Sequence, residues 1–213
     1  LVISFAGALI MTPMTVNYAD RPIEQRESYC TSMLVGQYAI FLPAIALVLL
    51  AVGCLYQAGV LDLDTTRLAT VLGIAAVGGM LWEFSRRYYY LRLQPGTVLR
   101  WDICYASMMA IGLVTGMYSN LRSMHWWIFV IYGLATAGTG LWALSESELA
   151  RPSDSRQVWD SVRESWGHGR WTLGGVLVTW VQNQRFVHFL AVFADLASVA
   201  DASAARLLVA PRM

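Results

Sequence analysis

Long uncharged apolar runs recur along this chain, and they limit its fold more than any other feature. A helix needs about 20 mainly apolar residues to cross the roughly 30 Å hydrocarbon core of a bilayer. Residues 31–56 form the clearest such run, because none of them is charged. The sequence therefore predicts an all-α integral membrane protein. Its predicted transmembrane helices, about six in number, are 1–17, 31–56, 67–90, 101–120, 124–144 and 170–195.

The composition agrees with a membrane protein and excludes several kinds of chemistry. Of the 213 residues, 57% are hydrophobic and 14% are charged, whereas soluble domains carry about 25% charged residues. All fifteen basic residues are Arg, which excludes a Schiff-base lysine and a phosphate-loop lysine. The formal net charge is only +1, so we expect no nucleic-acid partner. The lipid bilayer is the expected partner instead.

Arginines concentrate in alternate loops, and their distribution predicts the orientation of the chain. Ten of the fifteen lie in or beside three connecting segments, 18–30, 91–100 and 145–169. These segments fall on one side of the membrane if each of the first five predicted helices crosses it. Loops enriched in Arg and Lys usually face the cytoplasm. We therefore predict that these three segments are cytoplasmic.

Glu83, Arg86, Arg87, Arg100 and Asp102 form the first candidate site. In a helix, Glu83 shares a face with Arg86 and Arg87. Glu83 lies one turn, about 6 Å, inside the arginine pair, where a lipid-facing carboxylate costs roughly 2–3 kcal/mol. We therefore expect it to face water or the bundle interior. Arg100 and Asp102 open the next span, across a short turn from Glu83. We therefore predict that all five residues form one ionic group at the cytoplasmic opening of the helix bundle. Alternatively, the arginines are interface anchors and Asp102 stabilises a helix start.

A second candidate site lies in the last predicted span. Gln182, Arg185 and His188 recur there at intervals of three residues, which places them on one helix face. Arg185 is roughly 22 Å along a helix from Arg170. A polar stripe this deep normally faces a water-filled cavity or a partner helix. We assign Arg185 and His188 to a substrate or ion pathway; a shifted span would make Arg185 an interface residue instead.

No enzyme signature is visible, so we expect no catalytic residue, no metal and no cofactor. Asp62-Leu63-Asp64 has the spacing of a nucleotide-sugar metal motif, but two threonines follow it, which favours a helix start. The GxxxG pattern at 112–116 is typical of close helix packing. Three cysteines lack metal or redox spacing and are interpreted as small buried apolar residues: Cys30, Cys54 and Cys104.

Three stretches of the chain carry a resemblance to a known family. They are Met11–Met14 with the loop Arg21–Arg26, Glu83–Tyr88 running on to Trp101–Tyr105, and Ser165–Gly174. In their order along the chain and in their local sequence, they resemble the oligosaccharide and polysaccharide flippases of the multidrug/oligosaccharidyl-lipid/polysaccharide exporter superfamily. The resemblance implies two lobes of transmembrane helices joined by a cytoplasmic linker.

Mapped on that architecture, the sequence is expected to be a partial chain, because it begins inside an apolar run. Residues 1–144 would form the first lobe without its first helix. The remaining parts would be a cytoplasmic inter-lobe linker at 145–169, the first helix of the second lobe at 170–195, and the incomplete start of a further helix at 196–213.

The resemblance implies a transporter of the bacterial cell (inner) membrane, which moves a lipid-linked oligosaccharide or polysaccharide precursor by alternating access. Its cavity cations would hold the pyrophosphate of the substrate, and other cell-envelope assembly proteins are expected partners. Arg185 departs from the family pattern, which has neutral polar residues there. The alternatives are a drug or ion exporter coupled through Glu83 or Asp102, a non-transporting scaffold in envelope assembly and, last, a membrane glycosyltransferase.

Overall fold

The computed structural model describes residues 2–118, 126–149 and 154–193, with 183–193 described through their backbone alone. Within these ranges all regular structure is helical and no strand occurs, which confirms the predicted all-α class. The predicted further helix at 196–213 lies outside the described residues. The elements are α1 (Val2–Ala6), a π-helical turn (Gly7–Met11), α2 (Thr12–Asp20), α3 (Ile23–Gln57), α4 (Leu63–Leu91), α5 (Pro95–Tyr118), α6 (Trp127–Ser145) and α7 (Ser155–Phe193).

Five segments of the described chain are long and apolar enough to cross a membrane: Val2–Asp20, α3, α4, α5 and α6. These segments fit a multi-pass membrane protein. The sixth predicted span, 170–195, falls largely in α7, which is not among the five. The polar residues 182–185 interrupt the apolar run of α7 and lower its hydropathy. By length and composition the described residues therefore contain five candidate spans rather than six.

Several helices begin earlier than the predicted spans. α5 starts at Pro95 instead of residue 101, because proline suits the first helical position, where its missing N–H needs no partner. α3 starts at Ile23 instead of residue 31. Arg100 and Asp102 therefore lie within α5, and the prediction that they open this helix is wrong.

Among the described helices, α4 and α6 share the most extensive contact, along a seam of small residues. A Cβ atom on Gly78 would lie 2.8 Å from Thr136 Oγ1 and 2.9 Å from the carbonyl oxygen of Gly133. Further along, a Cβ atom on Gly140 would lie 3.1 Å from the backbone nitrogen of Trp82. Small residues allow backbones to approach in this way where lipid supplies no hydrophobic drive for association. The seam therefore fixes α4 against α6.

Gly112 and Gly116 of α5 also face α6. A Cβ atom on Gly112 would lie 2.5 Å from Ile131 Cγ2, and one on Gly116 would lie 2.5 Å from Trp127 Nε1. Both glycines thus leave room for a large side chain of the neighbouring helix. Their predicted role in close packing is confirmed.

A π-helical turn interrupts the first candidate span next to Pro13. Proline has no N–H to donate within the helix, and the chain accommodates it by widening from Gly7 to Met11. The backbone N–H of Thr12 donates to the Gly7 carbonyl, and Thr12 Oγ1 donates to the same oxygen at 3.0 Å. Such a π turn leaves carbonyls exposed on one side of the helix.

The first half of α7 packs on this π turn and on α3. A Cβ atom on Gly169 would lie 3.0 Å from both the Cα and the carbonyl oxygen of Leu9, and one on Gly36 would lie 2.4 Å from Val162 Cγ2. Ser165 Oγ also contacts Met33 Sδ at 3.4 Å. The predicted linker 145–169 is therefore helical from Ser155 and packed on the bundle.

We expect the substitution Gly78→Ala to destabilise the helix bundle, because backbone atoms of α6 cannot move aside as a side chain can. Overpacking of this kind costs about 1–3 kcal/mol. Unfolding in mixed detergent micelles, followed by circular dichroism, measures the change. Gly53→Ala in α3 is the matched control, because a Cβ atom there would have no neighbour within 4 Å. Equal stability of both variants would contradict the close α4–α6 contact.

Candidate functional site

The three arginine-rich segments lie at one end of the helix bundle. Ion pairs join the loop before α3, the turn after α4 and the chain after α6, although these segments are distant in sequence. Alternate loops thus meet on one side, as the arginine distribution predicts; their cytoplasmic location remains a prediction. The ion pairs are Arg21–Glu164, Arg92–Glu27, Arg92–Glu148 and Arg100–Glu146.

Four of the five predicted residues of the first site come together between α4 and α5. Arg86 lies 3.5 Å from Glu83 and, through Nε, 3.1 Å from Asp102 Oδ1. Arg87 Nε lies 3.9 Å from the other carboxylate oxygen of Glu83. The side chains are one third to two fifths exposed. We call Glu83, Arg86, Arg87 and Asp102 the ionic cluster.

Arg100, the fifth predicted member, points away from the ionic cluster. Its guanidinium pairs with Glu146 and lies 4.6 Å from the Trp101 ring centroid. The reason is helix geometry: α5 already includes Arg100 and Asp102, and residues two apart in a helix do not share a face. The prediction that Arg100 joins Glu83 is therefore wrong.

A groove of about 900 Å³ begins at the ionic cluster and runs along α5. Arg86 and Asp102 line one end of it, and apolar side chains line the remainder as far as Leu113. The rings of Trp82 and Tyr105 stack in its wall, with centroids 5.6 Å apart. The groove therefore combines a charged end with an apolar wall, which is the arrangement an amphiphile requires. The apolar lining residues on α5 are Ile103, Ala106, Met109, Ala110 and Leu113.

A second charged network, absent from the sequence predictions, links α3, α4 and the chain after α6. Tyr88 Oη donates to Glu27 Oε2 at 2.7 Å, and Arg92 Nη1 donates to Tyr88 Oη at 2.9 Å. Arg92 Nη2 donates to Glu148 Oε2 at 2.7 Å, which raises the pKa of the guanidinium. The one part of this network that the sequence could have indicated is the Tyr88–Arg92 contact, because residues four apart share a helix face.

The second predicted site, Arg185 and His188, lies outside the residues with described side chains. The backbone of both residues belongs to α7. Of the polar stripe Gln182, Arg185 and His188, only Gln182 has a described side chain, and it is exposed. The assignment of Arg185 and His188 to a pathway therefore stays a prediction.

Asp62 begins a helix, which confirms the preferred interpretation of Asp62-Leu63-Asp64. It is the N-cap of α4, and its Oδ1 accepts from the Thr65 backbone N–H at 3.2 Å. Hydrogen bonding to Thr65 lowers the pKa of this carboxyl. Asp64 lies 3.8 Å from Arg67 in an exposed ion pair. Both aspartates thus have local roles at the helix start.

The cysteines are free, and only Cys30 is buried. Cys54 is exposed and Cys104 is half-buried, so the prediction of three buried thiols is wrong for these two. Both lie in candidate membrane spans, α3 and α5. Among the residues that the structure describes, no group of three His, Cys, Asp or Glu side chains could hold a metal ion.

Comparison with known proteins adds no identification. No protein-family model, curated protein or solved structure matches the chain. The flippase resemblance thus stays a prediction from short motifs.

We expect Arg92→Gln to destabilise the bundle by about 1–2 kcal/mol, since it removes charge-assisted hydrogen bonds whose Glu148 end is solvent-exposed. Thermal unfolding in detergent measures the loss. Arg67→Gln is the control, because its ion pair joins only neighbouring turns of α4. The Tyr88→Phe and Arg92→Gln effects should be non-additive in a double-mutant cycle; strict additivity would contradict a shared network.

The Asp62 cap should be lost in acid. Because its folded pKa lies below the unfolded value, its stabilisation is fully present above the ordinary Asp value of about 3.9 and disappears as pH falls through the lowered folded pKa. The NMR shift of the Thr65 amide proton should titrate with a midpoint below that value. In Asp62→Ser, the cap persists but the titration should vanish. A midpoint at or above the ordinary value would refute the cap.

Proposed function

We propose that the protein is a membrane transporter of the flippase type, which moves a lipid-linked oligosaccharide or polysaccharide precursor across the cell membrane by alternating access. The groove between α4 and α5 is the observation that supports it most. Its charged end, with Arg86 and Asp102, continues into an apolar wall that ends at Leu113. A ligand that fits both parts has an ionic headgroup and a hydrocarbon chain.

The arginines supply the chemistry for a phosphate-bearing headgroup. A guanidinium presents donors in a planar fork that matches phosphate oxygens. Arg86 now shares its donors between Glu83 and Asp102 at 3.1–3.5 Å. An incoming phosphate would replace these carboxylates, and Glu83 would then keep its contact with Arg87. Asp102 would lose its partner in the ionic cluster, but its side chain is 35% exposed, so water would solvate the freed carboxylate.

The apolar wall matches the hydrocarbon part of such a ligand. Its α5 residues from Ile103 to Leu113 follow one helix face and extend about 15 Å, at 1.5 Å per residue. In the bilayer a lipid chain already lies in an apolar environment, so the wall contributes packing contacts and not the removal of apolar surface from water. The wall therefore aligns the chain with the groove, and the ionic end supplies the selective interaction.

A cation-coupled exporter is the second candidate function, and the carboxylates of the ionic cluster favour it. Glu83 and Asp102 are each about one third exposed, so a proton or metal cation has access to them. In that case the carboxylates carry the coupling, whereas in the flippase the arginines hold the substrate. The two functions therefore differ in which charge is essential.

Complementation of a flippase-deficient bacterial strain with the complete gene tests both functions. For the flippase we expect Arg86→Gln to reduce surface polysaccharide by about tenfold or more at equal protein level, because it removes the guanidinium that holds the phosphate. Glu83→Gln leaves both arginines in place and should reduce it less. Asp64→Asn is the control, because it breaks an ion pair of the same spacing at the other end of α4.

Each alternative function gives a different result in this assay. Loss of drug resistance in Glu83→Gln, with surface polysaccharide intact, would establish the exporter. Normal polysaccharide and resistance in both cluster variants would leave only the scaffold role, and the proposed transport site would be refuted.

A further inference from the structure

The first half of α7 has two unlike faces. One face is buried and consists of small or apolar residues, Val158, Ser161, Ser165 and Gly169. This face contacts α3 and the carbonyl oxygen of Leu9 in the π turn. This packing fixes the orientation of α7 about its own axis. It therefore also determines which residues of α7 face away from the bundle.

The exposed face carries alternating Arg and Trp. Arg156, Trp159, Arg163, Trp166 and Arg170 follow one another at intervals of three and four residues, so they form one stripe along the helix. All five are exposed; Trp159 is 56% exposed and Trp166 is 53% exposed. Indole rings combine a large apolar face with a polar N–H, which suits a surface that is partly polar and partly apolar, such as the interface of a membrane. We call these five residues the Arg/Trp stripe.

The arginines of the stripe are available to a partner. Arg156 and Arg163 form no ion pair with any residue of the described ranges. Among the described residues, Arg170 contacts the Trp171 ring, at 5.6 Å from its centroid. The nearby acidic residue Glu164 is turned toward Arg21. Asp160 is exposed beside Arg156 and lines the same pocket, so it offsets part of the charge at that end. The stripe therefore presents three arginines in line, with an excess of positive charge.

The packing places the first part of the stripe at the arginine-rich end of the bundle. Gln157 Nε2 donates to Ser28 Oγ at 2.8 Å, and Glu164 pairs with Arg21, so this part of α7 lies beside the loop before α3 and the charged start of that helix. If α3 crosses the bilayer, its charged start lies in the headgroup layer, which Trp rings prefer because one edge is polar and the rest apolar.

We propose that the Arg/Trp stripe binds anionic phospholipid headgroups of the leaflet next to the arginine-rich end. The guanidinium groups hold lipid phosphates, and the indoles insert between the headgroups. Each arginine near an anionic surface strengthens binding by about fivefold, so the three together give roughly 100-fold. This lipid site uses neither the ionic cluster nor the groove, and it holds whether or not the protein is a flippase.

Native mass spectrometry of the full chain tests the lipid site, with phosphatidylglycerol and phosphatidylcholine added to the detergent-purified protein. We expect the wild type to prefer phosphatidylglycerol. The triple substitution Arg156→Gln, Arg163→Gln and Arg170→Gln should abolish that preference, because it removes the positive charges that hold the anionic headgroup. The corresponding triple Lys variant should keep most of it, because the positive charges remain. Arg67→Gln, at the other end of the bundle, is the control and should match the wild type.

Three results would overturn the proposal. One is equal affinity of the wild type for both lipids, which would leave an acidic protein surface as the occupant of the stripe. Another is an unchanged preference in the triple Gln variant at wild-type helix content, and the third is its loss in Arg67→Gln. If the triple Gln variant does not fold, Trp159→Ala with Trp166→Ala decides instead: reduced retention of both lipids supports the site, and unchanged retention refutes it.

Discussion

The close contact between α4 and α6 determines how the rest of the bundle is arranged. Gly78 meets Gly133 and Thr136 with no room for a Cβ atom. At the same seam, Ser85 and Tyr89 donate to carbonyls of α6, at 3.4 Å and 2.7 Å. These contacts fix the rotation of α4 about its axis. Because Glu83 and Arg86 lie on a different face of the same helix, the seam also determines that they point toward α5 and its groove.

Features that depend on nearby residues could be predicted from the sequence. Hydropathy indicated the five spans, and spacings of three and four residues indicated the Glu83–Arg86 and Glu83–Arg87 pairs. Helix ends were predicted less well, because Pro95 extends α5 backwards through charged residues that hydropathy assigns to a loop. That shift turns Arg100 away from Asp102, so a small boundary error changed the composition of the site.

Features that depend on distant residues could not be predicted. Tyr88 and Glu27 are 61 residues apart, and only the packing of α3 on α4 brings them together. The first half of α7 was missed for another reason. Its buried face consists of serine, glycine and valine, and serine and glycine have low hydropathy. This part of α7 therefore has the composition of a polar linker although it is a packed helix. A hydropathy pattern does not identify small residues that are buried by close contact between helix backbones.

The two charged groups differ in a way that assigns them different physical tasks. Arg92 is bound at 2.7–2.9 Å by Glu148 and Tyr88, and 22% of its side chain is exposed. Short charge-assisted bonds of this kind hold elements in one geometry. The ionic cluster has longer contacts of 3.1–3.9 Å, and its arginines are 33% and 43% exposed, more than Arg92, although Glu148 itself is 76% exposed. Water therefore screens the arginines of the cluster, and its pairs separate at little cost. A network that fixes helices has to resist exchange, whereas a site that binds and releases a charged ligand has to permit it. The geometry therefore suits Arg92 to holding the helices together, and it suits Arg86 to exchanging its carboxylate partners for a charged ligand.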